Sequence, residues 1–340
     1  MCTSQLYRVE DLFTHKVEIG SGAWLERLKG SSTKPRKITP IPCGKCIECR
    51  IKKAQEWAFR CMKEAAEYDN NVMVTLTYND ENLPNRVYID RQTGESETVH
   101  TLVKKDVQDF IKRLRKHYKG QTIRYYMCGE YGSDKEYYTW KGEKREATKR
   151  PHYHIIFFNL DFEDKKEYKY SKCEWSKDKN ILYKSKVLDK LWKKGHADIN
   201  EVNYETCCYV ARYVTKKMYG AAAEEHYKGR LPEYTCMSRR PGIGYSFFEK
   251  NREKFENEED FWQKTKKGLK LLNKIRYFDK QIEKENPEKL EEIKKNRERK
   301  SKDTWNEILK GTDISKEEYI RNRIYRNEQK FKTLNIRELH

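Results

Sequence analysis

The chain has 340 residues, which at roughly 150 per domain leaves room for about two domains and one sizeable core. Lys and Arg number 73 against 54 Asp and Glu, giving a formal charge of +19, with 37% charged residues and a mean hydropathy of -1.10. These values argue against a membrane protein, because the longest apolar runs, such as Ile155–Phe158, fall far short of the roughly 18 residues that cross a bilayer.

The first residues point the same way: Met1–Phe13 contains Glu10 and Asp11 where a secretory segment needs an apolar stretch. Ten cysteines in a long, Lys-rich chain favour reduced thiols or metal ligands over a disulfide framework, and the expected compartment is cytoplasmic. So large a positive excess points to a polyanionic partner, because each phosphate contact releases condensed counterions.

Residues 1–71 combine a Lys-containing loop at Ser31–Lys37, a Pro/Cys segment at Ile41–Cys49 and a helix predicted over about Ile47–Tyr68, and read as an arm with one helix. Residues 72–250 hold the most convincing compact domain. Val72–Tyr78 is rich in β-branched and aromatic residues and is the clearest strand. A small hairpin follows from Val87–Ile89 and Thr98–Leu102. Lys104–Tyr118 spaces Val107, Phe110, Ile111 and Leu114 as a helix that stops at Gly120. Strands are then predicted at Ile123–Cys128 and His152–Phe158, a short helix at Val187–Trp192, a strand at Ala197–Val202 and a helix at Tyr204–Tyr219. Without the hairpin the order is β-α-β-β-α-β, a split unit with an antiparallel sheet, so the expected class is α+β. Residues 251–340 are crowded with charge and read as a helical extension.

The sharpest local signal is Arg150-Pro-His152-Tyr-His154-Ile-Ile-Phe-Phe158. On a strand the side-chain period is two, so both imidazoles project from one face and Tyr153 from the other. The pair by itself is equally compatible with ordinary surface or core histidines. The strand before it ends at Glu130, and antiparallel pairing would bring that carboxylate beside the histidines. Two imidazoles and a carboxylate leave coordination positions open for phosphate oxygens, as a Lewis-acid site requires.

A second constellation is Cys208-Tyr209-Val-Ala-Arg212-Tyr213-Val-Thr-Lys216-Lys217. On a helix Tyr209, Tyr213 and Lys216 share a face, placing two phenols beside an ammonium. A phenol is a poor nucleophile until a base, a cation or a polarised substrate assists it. The alternative for these residues is an aromatic stripe packed on the sheet. Cys43, Cys46 and Cys49 have paired CxxC spacing, with Cys61 as a candidate fourth thiolate for Zn2+; simple reduced thiols and iron–sulfur ligation stay open. Arg239 and Arg240, beside Pro241-Gly-Ile-Gly-Tyr245, suit phosphate contact and base stacking, and Arg212 and Lys217 are further candidates for DNA contact. No Gly-x4-Gly-Lys-Ser/Thr loop occurs, so a P-loop phosphate cradle is missing.

Three motifs in order, Val74-Thr-Leu-Thr-Tyr78, Pro151-His-Tyr-His154 following Gly129-Glu-Tyr-Gly132, and Tyr209-Val-Ala-Arg-Tyr213-Val-Thr-Lys216, resemble the rolling-circle replication initiators of microviruses, nearest the gokushovirus branch. Pro42-Cys-Gly-Lys-Cys-Ile-Glu-Cys-Arg50 and Met237-Ser-Arg-Arg-Pro-Gly-Ile-Gly244 extend the resemblance, and the charged end offers no match. Such proteins are similar to HUH endonucleases, named for a His-hydrophobic-His strand. The resemblance implies an HUH nickase domain that cuts and rejoins single-stranded DNA at a phage origin. Glu130, His152 and His154 would hold Mg2+ or Mn2+, and Tyr209 and Tyr213 would act as alternating nucleophiles through a 5′-phosphotyrosine, assisted by Lys216. It also implies single-stranded or supercoiled origin DNA, a host helicase and a host DNA polymerase as partners, in the cytoplasm of a bacterial host. Two other readings stay open: a relaxase or transposase of the same superfamily using Tyr213 alone, and a noncatalytic, zinc-assisted nucleic-acid-binding protein.

Overall fold

In this computed structural model, residues 6–30, 35–90, 92–132, 137–138, 144–145, 149–171, 180–212, 218, 222–265, 268–271 and 274–337 are described. Contacts divide the chain into two units, Met1–Lys53 with Glu298–Leu339, and Ala54–Arg297. The first unit opens with β1 (Leu6–Asp11), β2 (Val17–Ser21), α1 (Gly22–Gly30) and β3 (Arg36–Ile41), whose strands form an antiparallel sheet in the order β2-β1-β3. This sheet precedes the expected helix and was not anticipated; its strands are short and mix charged with apolar residues. The cysteine segment then leads into α2 (Ile47–Ala65), close to its predicted span.

The second unit is built on β4 (Asn71–Tyr78), followed by the hairpin β5 (Asn85–Ile89) and β6 (Ser96–His100), α3 (Lys104–His117), β7 (Arg124–Tyr131), a two-residue ladder of β8 (Tyr137–Tyr138) with β9 (Lys144–Arg145), and β10 (Pro151–Phe158). After these come β11 (Lys166–Ser171), β12 (Asn180–Lys184), α4 (Lys186–Trp192), β13 (Gly195–Glu201) and α5 (Tyr204–Arg212). The chain continues through α6 (Ala222–Tyr227), β14 (Tyr234–Met237), α7 (Tyr245–Lys250), α8 (Arg252–Glu256), the hairpin β15 (Trp262–Thr265) and β16 (Gly268–Leu271), and α9 (Arg276–Glu285). Two long helices follow, α10 (Pro287–Leu309) and α11 (Lys316–Arg337), in line with the helical end expected from the sequence.

The principal sheet has the order β11-β12-β13-β4-β10-β7-β14, with every neighbouring pair antiparallel. Its centre, β13-β4-β10-β7, realises the β-α-β-β-α-β pattern as a split antiparallel sheet. Strands β11 and β12, on one edge, and β14, on the other, were not anticipated. The first two are dominated by charged and polar side chains and β14 has only four residues, so neither alternation nor length marks them.

Burial follows the pleat. Val72, Val74, Leu76 and Tyr78 of β4 face the same side as Tyr153, Ile155 and Phe157 of β10, beneath Phe110 and Leu114 of α3 and Trp192 of α4. On the opposite side Met73, Tyr126, Cys128, Ile156 and Phe158 are covered by Ala54, Ala58 and Cys61 of α2 and by Cys207, Val210 and Ala211 of α5. Toward one end of that second face the apolar residues give way to Thr75, Thr77, Glu130, His152 and His154. Helix α5 crosses the same face, and its entry is closed by a reciprocal cap: Asn203 Oδ1 accepts from the Thr206 amide and Thr206 Oγ1 from the Asn203 amide, both at 2.9 Å. Beyond residue 250, Ile275, Phe278, Ile282, Leu290 and Ile293 join Phe59 and Phe248 in a third apolar cluster, so this stretch contributes core as well as charge.

Candidate metal and nucleophile site

Strand β10 pairs with β7 so that His152 lies directly opposite Glu130, and His154 opposite Cys128. Because both strands alternate, the two imidazoles and the carboxylate emerge from one face, side by side. Glu130 Oε1 lies 2.6 Å from His152 Nε2 and 3.0 Å from His154 Nε2. All three donor groups fall within 4.8 Å of one another. Glu130 and His154 are buried and His152 is partly open, so the cluster has one accessible side.

The imidazoles are oriented from behind. His152 Nδ1 meets the Arg150 carbonyl at 3.1 Å, and His154 Nδ1 meets Thr75 Oγ1 at 2.9 Å, so both rings turn Nε2 toward Glu130. This is how metal-ligating histidines are usually fixed in orientation. Between them Tyr153 points the other way, and its hydroxyl accepts from the Val103 amide at 2.8 Å and lies 2.9 Å from the Tyr78 hydroxyl, which donates to Asp106 at 2.9 Å. That network pins the backbone between the two histidines to the start of α3. Burial alone would raise the Glu130 pKa, but the paired imidazoles of His152 and His154 hold it well below the usual carboxylate range. A buried, ionised carboxylate flanked by two imidazole nitrogens fits a divalent cation, and the mixed N/O donor set suits Mn2+ better than the oxygen-seeking Mg2+.

Tyr209 of α5 stands over the cluster. Its hydroxyl is 3.4 Å from His154 Nε2, and its ring meets the imidazole edge-on with centroids 5.0 Å apart. The aromatic stripe and the site-facing phenol are therefore one and the same: Tyr209 packs against the apolar face and reaches the ligands with its polar end.

Other predicted residues are distributed as follows. Tyr213, Lys216 and Lys217 lie outside the described residues, while Arg212 is the last residue of α5 and acts electrostatically on Cys208. Arg239 and Arg240 are exposed in the turn after β14. Ser238 there bonds the Tyr125 carbonyl at 2.9 Å, five residues along β7 from Glu130, or about 16 Å. The structure thus does not gather Arg239 and Arg240 with the histidines. Their turn is held by Arg124, whose Nη2 donates to the Pro241 carbonyl at 2.8 Å, and by Arg60, whose Nε donates to the Ile243 carbonyl at 3.0 Å.

Cys43, Cys46 and Cys49 are brought together, with their sulfurs within 4.8 Å of one another. Cys61 is not part of that group. It is fully buried among Met73, Tyr126 and Cys207, because its place on α2 falls on the stripe that covers the sheet, and this corrects its assignment as a fourth thiolate. Thr75 went unnoticed in the sequence, since threonine in a strand is an ordinary β-former and only the pairing with β10 shows that it faces His154.

A split antiparallel sheet carrying His-hydrophobic-His beside a tyrosine helix defines an α+β protein of the HUH type. Residues 71–218 match the family model for replication-associated proteins of the ORF2 type. The chain is 34% identical over 272 residues to the replication-associated protein ORF2 of Spiroplasma virus 4, covering 78% of this chain and 75% of that protein. It is 30% identical to the replication-associated protein VP4 of Bdellovibrio phage phiMH2K, covering 63% of this chain and 59% of the relative. With the replication-associated protein ORF4 of Chlamydia phage 1 it shares 29% identity, over 61% of this chain and 46% of the relative. The chain belongs to this family of microvirus-like replication-associated proteins. No solved structure matches it. Among the described residues no helix is long and apolar enough to cross a membrane.

Proposed function

We propose that this protein initiates replication of a phage genome by nicking and rejoining a DNA strand at its origin through a phosphotyrosine intermediate. The observation that carries the reading is the Tyr209 hydroxyl at 3.4 Å from His154 Nε2, within the Glu130, His152 and His154 cluster. In that reaction the Tyr209 oxygen attacks the scissile phosphorus in line, a tyrosine–phosphate bond forms at the 5′ side, and the bond to the 3′ oxygen breaks. The phenol gives up one proton and the departing 3′ oxygen takes one up. A Mg2+ or Mn2+ held by the three ligands supplies charge neutralisation at the phosphate. Since one ester replaces another, religation needs no nucleotide cofactor, and the free 3′-hydroxyl is a primer for a host polymerase.

Tyr213 would take the second cut, when the origin is regenerated, and Lys216 would stabilise phenolate character. The contact with His154 favours Tyr209 for the first attack over a reaction by Tyr213 alone. The expected partners are single-stranded or supercoiled origin DNA and, in the cytoplasm of a host bacterium, its helicase and polymerase. Incubating the protein with origin DNA and Mn2+ should give an adduct that survives denaturant. Tyr209→Phe should lose it, and His152→Ala should lower its yield by about a hundredfold or more while DNA binding persists. An undiminished adduct from Tyr209→Phe would transfer the first attack to another residue, and DNA bound with no adduct from the parent protein would favour the noncatalytic alternative.

A further inference from the structure

The first unit contains a second donor cluster that nucleolytic chemistry does not use. Cys43, Cys46 and Cys49 lie where β3 ends and α2 begins, all three partly accessible and none in a disulfide. Two observations suggest a built site. First, Cys43 Sγ accepts the Lys45 amide at 3.4 Å and the Cys46 amide at 3.2 Å. Amide donors aimed at a sulfur favour its thiolate form. The turn depends on Gly44, whose φ of +73° is costly for any residue with a Cβ. Second, Cys46 supplies the carbonyl for the first bond of α2, accepting from Arg50 at 3.0 Å, and Cys49 sits in the opening turn, where the helix end favours negative charge.

The spacing of the sulfurs distinguishes between metals. A tetrahedral Zn2+ with bonds of about 2.3 Å has sulfur–sulfur edges of roughly 3.8 Å. Sulfurs within 4.8 Å of one another need only a small contraction to reach that geometry. A cubane cluster binds each thiolate to a different iron and spreads them wider. We propose that Cys43, Cys46 and Cys49 bind one Zn2+, fastening the end of β3 to the start of α2, with the fourth coordination position filled by a group other than Cys61.

The test uses the full chain in a His152→Ala/His154→Ala background, so that the other site takes no metal. Purified from zinc-supplemented cells and dialysed, it should retain about one zinc per chain. Cys46→Ser should remove that zinc and Cys61→Ser should keep it. Because a cysteine variant can fail to fold, the unaltered thiols are also tested by exchange: Co2+ should give the strong near-ultraviolet thiolate-to-metal absorption, and zinc should abolish it. Zinc-free protein with no such absorption, loss of zinc in Cys61→Ser, or iron with matching inorganic sulfide would each overturn the proposal.

Discussion

Among single residues, Thr75 shows how a neutral side chain can set the chemistry of a charged cluster. Its hydroxyl is the partner that holds His154 with Nε2 toward Glu130. Thr75→Val keeps the shape and β-preference but removes that partner, and should weaken Mn2+ binding by about 10- to 100-fold in calorimetric titration, whereas Thr75→Ser should restore it. Equal affinity in the valine variant would show that packing alone orients the ring. Glu130 gives a complementary expectation for the metal-free protein. Its carboxyl is held below its ordinary value in the fold, so its contribution to stability is present above the unfolded-state pKa and lost as pH falls toward the folded one. His152, His154 and Glu130 were legible in the sequence because they need only alternation and one antiparallel pairing. Thr75 also needs the register of a third strand, and Cys61 needs to be known as lying on the covered side of α2; neither follows from spacing along the chain.

For the secondary-structure elements, α5 couples stability to the placement of the phenol. The Asn203–Thr206 cap fixes where the helix begins and thus where Tyr209, in its second turn, meets His154. Asn203→Ala should cost about 1 kcal/mol in denaturant unfolding and also slow adduct formation, while Asn203→Ser should recover most of both. Unchanged adduct kinetics despite lost stability would show that α5 is positioned by its packing on Ile156 and Phe158 instead. The split β-α-β core was legible from periodicity, since Val72–Tyr78 alternates cleanly and α3 spaces four apolar residues toward the sheet. The edge strands were not, because strands exposed on one side owe their place to hydrogen bonds with a neighbour, which a single sequence does not record.

Across the whole molecule, the excess of 19 positive charges bears on affinity more than on the fold. If binding to single-stranded DNA is led by phosphate contacts, raising salt from about 50 to about 200 mM should weaken it by roughly a hundredfold or more, measured by fluorescence anisotropy. His152→Ala should leave that salt slope unchanged, because the imidazole serves the cut and not the grip. A salt-insensitive complex would mean that base stacking dominates.

The alternation that sets the ligands also fixes the length of the strands that carry them. One residue more or fewer within 151–158 would turn Tyr153 to the open face and bury the imidazoles against α3. Exchange of one side chain for another is negotiable in this sheet, but insertion and deletion are not. As such chains diverge, gaps should collect in the connections and spare residues 71–78, 124–131 and 151–158.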